Sequence, residues 1–106
     1  MLVRALHEPD PTHLARVVAE MQQMGPPTIE AIDCGTYLAA LEGSHRLAAA
    51  AQLGLMPTFV LRDQDEVIEV TEYAWFDEVF FPDPIYTGRQ VVERLQAVSA
   101  PVYRFG

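Results

Sequence analysis

At 106 residues, half of them apolar, the chain has the length of one domain and enough hydrophobic side chains to bury a modest core. Its 15 acidic against 7 basic side chains leave a net charge of -8, which repels phosphate backbones and excludes duplex DNA binding by this domain alone. No run of about 18 apolar residues exists to span a membrane, MLVRALHEPD does not read as a secretory leader, and the single Cys34 can form neither an internal disulfide nor a zinc site, so a cytoplasmic protein is expected.

Asp10-Pro11-Thr12 opens the first helix, with Asp10 or Thr12 as the cap. Leu14, Val17, Val18 and Met21 make one apolar face over two turns, and Gly25-Pro26-Pro27 ends it. The period then shortens. Thr28 to Ile32 and Tyr37 to Leu41 read as two antiparallel strands joined by Asp33-Cys34-Gly35-Thr36, where Gly35 can take a positive φ. Cys34 has no basic neighbour to lower its pKa and is read as an incidental thiol.

The second helix starts at or just after Ser44, which is read as its N-cap or as a phosphate donor, and stops at Gly54. The run Ala48 to Ala51 has high helix propensity and little bulk, so this helix can lie close to a sheet. Thr58 to Leu61 reads as a buried strand and Asp63 to Glu66 as a solvated loop. Val67 to Phe81 fits either a strand followed by a helix or one continuous helix; a helix from Thr71, closed by Pro82 and Pro84, is expected. The last helix runs from Thr87 to about Ser99, with Val91, Val92, Leu95 and Val98 as its apolar stripe and Thr87-Gly88-Arg89 as a capped start. No repeat or linker divides the chain, so residues 1–106 are read as one domain.

The chemistry concentrates at Glu42-Gly43-Ser44-His45-Arg46, between the second strand and the alanine-rich helix. A helix N-terminus exposes unpaired N–H groups and partial positive charge, which suits an anion. Gly43 lets a ligand approach the backbone, while Ser44, His45 and Arg46 add a hydroxyl, an imidazole and a guanidinium. The plainer alternative is a capped helix start with solvated polar residues. His7 and His13 flank Asp10 but fit no usual ligand spacing, so they are read as solvated and no metal site is expected. Trp75, Phe76, Phe80 and Phe81 belong either to the core or to a surface for a protein partner or a homodimer.

The order helix, G-P-P, strand, tight turn, strand, G-x-x-R, alanine-rich helix, strand resembles the ParB N-terminal domain and sulfiredoxin superfamily over residues 10 to 62. TIEAIDCGTYLAALEG followed by SHRLAAAAQLGLMPTFVL carries the likeness. The resemblance implies a compact α+β fold, a small mixed sheet packed by helices. It also implies nucleotide phosphates on Gly43, Ser44, His45 and Arg46, since sulfiredoxins use G-C-H-R with ATP and ParB proteins use G-E-R-R with CTP. Ser44 stands at the reactive cysteine of sulfiredoxin, so sulfinic acid reduction is not expected. The acidic residue of the ParB turn is missing, with Glu42 one position earlier, and the chain leaves no room for ParB's DNA-binding helices. An archaeal free-serine kinase of similar fold keeps phosphoryl transfer open beside nucleotide hydrolysis, with Glu42 as the residue for Mg²⁺ or acid–base work. The rival expectation is a non-catalytic interaction module that retains the fold.

Overall fold

A computed structural model of the chain describes residues 1–96 and 98–106. Among these residues seven strands and three α-helices follow in the order β1 (Leu2–Arg4), α1 (Pro11–Met24), β2 (Thr28–Asp33), β3 (Leu38–Ala40), α2 (Ser44–Leu53), β4 (Thr58–Arg62), β5 (Val67–Glu69), β6 (Ile85–Thr87), α3 (Gly88–Leu95) and β7 (Val102–Arg104). Five strands form a mixed sheet in the order β4-β2-β3-β1-β7, while β5 and β6 pair as a separate antiparallel ribbon. The fold is α+β.

β2 and β3 pair antiparallel across Ile32 and Ala39, as the hairpin pattern predicts. The turn is held by Asp33 Oδ1, which accepts the Gly35 N–H at 2.9 Å, and Gly35 sits at φ 88°. β1 joins β3 in parallel and β2 joins β4 in parallel, so the hairpin forms the middle of the sheet. All three residues of β3 are buried, because both sheet faces are covered at that point.

One face packs against α1 and α2, with Val3, Ile29, Leu38, Leu47 and Phe105 at the centre of a first core cluster. Ala49 and Ala50 are fully buried there, so the small side chains do let α2 lie close to the strands. Asp10 is the cap of α1, its carboxylate accepting the His13 N–H at 2.9 Å, with Pro11 in the first turn. Gly54 ends α2 in the left-handed conformation, its N–H and that of Leu55 closing on Ala51 and Ala50. The opposite face carries the second cluster, in which Ile32, Ala39 and Leu41 meet Ile68, Val70, Phe81, Tyr86, Val91 and Val92.

Four expectations need correction. Ser44 is the first helical residue of α2, and Gly43 at φ 76° and ψ 35° is its cap, with no side-chain cap bond. Thr58 to Leu61 is a strand, extended to Arg62, yet it is not buried: β4 is an edge strand, and Val60 and Leu61 are each about half exposed. No α-helix begins at Thr71. Residues 67–69 form β5, Val70–Glu72 make one 3₁₀ turn, and the chain then runs irregularly to β6. Tyr73 and Trp75 stack with centroids 5.1 Å apart, a same-side relation between positions i and i+2 that an α-helix does not permit. Last, α3 ends at Leu95, so Val98 lies outside its stripe and is exposed; position 97, inside the expected helix, falls outside the described residues.

The start of α3 behaves as its sequence suggests. Thr87 and Gln90 make a reciprocal capping box. The N–H groups of Gly88 and Arg89 donate to the carbonyls of Glu66 and Gln64, so this helix start is closed by the acidic loop.

Candidate functional site

A cleft of about 980 Å³ opens where α1, the Gly25–Pro27 turn, the start of α2 and the irregular segment 72–75 meet. All five residues of the Glu42–Arg46 turn line it. Gly43 combines left-handed backbone with a close fit: a Cβ there would lie 2.6 Å from Ile29 Cδ1 and 3.2 Å from Arg46 Nη2. The Arg46 side chain therefore folds back over the turn. Its Nη1 donates to the Thr28 carbonyl at 3.1 Å and its Nη2 to Glu42 Oε1 at 3.4 Å, which aims the guanidinium without enclosing it, since its side chain keeps 40% exposure.

Ser44 is 4% exposed and its Oγ accepts the Leu6 N–H at 3.1 Å. The hydroxyl thus ties α2 to the segment after β1, and the backbone N–H is what Ser44 offers to the cleft end of the helix. His45 Nε2 accepts the Asp10 N–H at 3.0 Å, joining the start of α2 to the cap of α1. Burial lowers the His45 pKa below the ordinary 6.5, and the positive character of His13 and His7 adds to this, with Asp10 opposing. The unfolded chain therefore binds this proton more readily than the folded one. The stability contributed by neutral His45 is complete above about pH 6.5 and is lost as pH falls through the lower folded value. Ligand-free thermal melts should show a falling midpoint from about pH 7 to about pH 5, and His45→Gln should flatten that fall; an unchanged slope in the variant would place the acid sensitivity elsewhere.

An aromatic pair also lines the cleft. Trp75 donates its indole N–H to the Leu41 carbonyl at 2.6 Å and stacks on Tyr73, whose hydroxyl bonds to Glu30. Arg62 reaches the same Glu30 carboxylate at 2.7 Å, so β2, β4 and segment 73–75 are clasped together. Burial, followed by the Glu30 carboxylate, pushes the Tyr73 hydroxyl far above its usual pKa, so it stays a neutral donor. Of the four aromatics flagged in the sequence, Phe81 is fully buried, Trp75 and Phe76 are half-buried and Phe80 is exposed.

The structure brings Glu42, Gly43, Ser44, His45 and Arg46 together as the sequence suggests. Among the residues it adds to the cleft that sequence reasoning did not place there are His7, His13, Thr28, Tyr73 and Trp75. Their one sequence signal was residue type, because their partners lie far along the chain. Cys34 lies away from the cleft in the hairpin turn, and burial raises its thiol pKa, the reverse of activation. Among the described residues no three His, Cys, Asp or Glu side chains converge to hold a metal ion, and no helix is long and apolar enough to cross a membrane. A scan against protein-family models and searches of curated proteins and of solved structures found no match to this chain.

Proposed function

We propose that the chain is a nucleotide-phosphate-binding domain of the ParB N-terminal and sulfiredoxin kind, with phosphates on the Gly43–Arg46 turn. One observation carries this reading: a single cleft of about 980 Å³ is lined both by a helix start without a side-chain cap bond, beside an aimed arginine, and by the Tyr73–Trp75 stack. The first suits phosphate oxygens and the second suits the face of a base. A cleft of that size is in the range that holds small molecules. Each contact from a donor to a charged group contributes on the order of 1.5–3 kcal/mol net, so two or three suffice for micromolar to millimolar binding.

ATP and CTP are the nucleotides the family resemblance favours. Mg²⁺ in such sites is held by one or two carboxylates together with the phosphates, and Glu42 and Glu72 are carboxylates lining the cleft that could share it. Phosphoryl transfer or nucleotide hydrolysis, in which positioning and charge stabilisation dominate, is the chemistry that fits. Sulfinic acid reduction does not fit, because a buried serine hydroxyl stands where a thiolate would be needed.

ATP or CTP at about 100 times its dissociation constant should stabilise the fold by roughly 2.7 kcal/mol, a rise of about 10 °C or more in melting temperature. Arg46→Ala should remove most of that rise and lower the ligand-free stability by less than about 1 kcal/mol, since its ion pair with Glu42 is largely solvated. A panel of ATP, ADP, CTP, GTP and phosphate, with and without Mg²⁺, that is silent at millimolar concentration would reject the reading. A second reading, a non-catalytic interaction module, is favoured by Val79 and Phe80, which stand 89% and 43% exposed beside Asp77 and Glu78. That surface would dock a protein partner or a second copy, and it predicts the silent panel.

A further inference from the structure

All three histidines of the chain meet at the mouth of the cleft, although they come from three separate places. His7 follows β1, His13 sits in the first turn of α1 and His45 in the first turn of α2. The His45 ring centroid lies 4.0 Å from that of His13 and 5.4 Å from that of His7. Two tautomers follow from their bonds. His7 Nδ1 is 2.7 Å from the Glu8 carbonyl oxygen, which only accepts, so Nδ1 carries the proton and Nε2 is left to gain one. His45 Nε2 accepts the Asp10 N–H, so neutral His45 carries its proton on Nδ1 and can donate from there.

Crowding imidazoles opposes their own protonation, and a neighbouring carboxylate is the usual relief. Among the described residues none of the three makes an ion pair with Asp or Glu, in a chain with 15 acidic side chains. Asp10 turns its carboxylate to the His13 backbone N–H, and Glu8 meets His7 through its backbone carbonyl. On the turn that carries His45, Glu42 and Arg46 engage each other, and Glu20 lies two helical turns along α1 from His13. The missing counter-charge is what an anionic ligand would bring.

We infer that the histidine cluster is the proton-dependent arm of the cleft's anion site. It receives the second phosphate of a di- or triphosphate whose first phosphate lies on the Gly43–Arg46 turn, and it takes up protons in doing so. The inference rests on the phosphate reading above and deepens it: the ligand class is paired phosphates, and acid strengthens its binding. Each proton taken up on binding steepens affinity by about tenfold per pH unit. Acid makes the phosphates themselves less anionic, so any gain in affinity toward low pH comes from the protein.

The test is calorimetric titration of the whole chain with orthophosphate, inorganic pyrophosphate and ATP at about pH 6 and about pH 8, in two buffers of different ionisation enthalpy. Pyrophosphate and ATP should bind about tenfold or more tightly at the lower pH, with net proton uptake, while orthophosphate shows a much smaller change. Pyrophosphate matching ATP would name an inorganic ligand as sufficient; ATP alone showing the effect would name a nucleotide. The double variant H7Q/H13Q should lose the pH dependence, and because both side chains are exposed it should fold; H7Q alone should lose part of it. Affinities for pyrophosphate and ATP that do not change between the two pH values, or a pH dependence that survives in H7Q/H13Q, would overturn the histidine inference and leave the phosphate reading standing. Equal pH dependence for orthophosphate would overturn the assignment to a second phosphate. No binding of any of the three at either pH would overturn both.

Discussion

Replacing Phe81 with alanine is expected to lower stability by about 3–5 kcal/mol, a large share of the roughly 5–15 kcal/mol that holds a domain of this size. The ring is 1% exposed and lies at the centre of the second core cluster. It meets Trp75 and Tyr86 at centroid distances of 5.2 Å and 5.3 Å, and the Arg94 guanidinium stands 5.9 Å from it. Residues 73–84 have no helix or strand of their own, so ring packing of this kind is what fixes their course. The variant should therefore melt on the order of 15 °C lower and should also weaken any ligand that uses the Trp75 wall. Phe80→Ala, one position away but exposed, should change stability by no more than about 0.5 kcal/mol. Equal losses in the two variants, measured by chemical denaturation, would show that the segment is not anchored through Phe81.

Gly43→Ala is expected to be the next most damaging change, at about 2–4 kcal/mol, and to abolish phosphate binding. Two costs combine. An L-residue in the left-handed region costs roughly 1–2 kcal/mol, and the added methyl must displace the fully buried Ile29 or the arginine folded over the turn. Gly54→Ala supplies the control, because Gly54 has the same left-handed backbone at φ 69° with nothing within 4 Å of the added carbon. The difference between the two variants isolates the contact from the conformational strain. If Gly43→Ala proves no worse than Gly54→Ala, the tight packing of the turn on Ile29 is disproved.

How far each feature was legible depends on the span over which its cause acts. The α1 cap, the hairpin turn and both ends of α2 are set by residues within a few positions of each other, and composition and spacing reveal them. β1, β6 and β7 were missed because three residues are too few to display a period, and their partners lie far away in the chain. The sequence T-F-V-L marks β4 as apolar, yet coverage decides burial, and among the described residues no strand pairs with its outer edge. The helix expected from Thr71 failed because Tyr73 and Trp75 are committed to one wall by Glu30 and Leu41, 43 and 34 positions away. The turn at Gly43 was readable as a motif. The histidine cluster was not, since the packing of α1 on α2 brings His13 to His45 and the bond from the Leu6 N–H to Ser44 Oγ holds the segment of His7 beside them.

The outer edge of β1 is closed by β7, whose register runs from Leu2 opposite Arg104 to Arg4 opposite Val102. The amino group of Met1 donates to the Phe105 carbonyl at 2.9 Å, a bond between positions 104 apart, and Phe105 fills the first core cluster. During synthesis, β1, the hairpin and α2 leave the ribosome long before β7 exists. Until β7 emerges the growing chain holds a sheet with a bare flank and a gap where Phe105 belongs. A strand in that state is a template for other chains, so the interval before β7 docks is when β1 is open to mispairing.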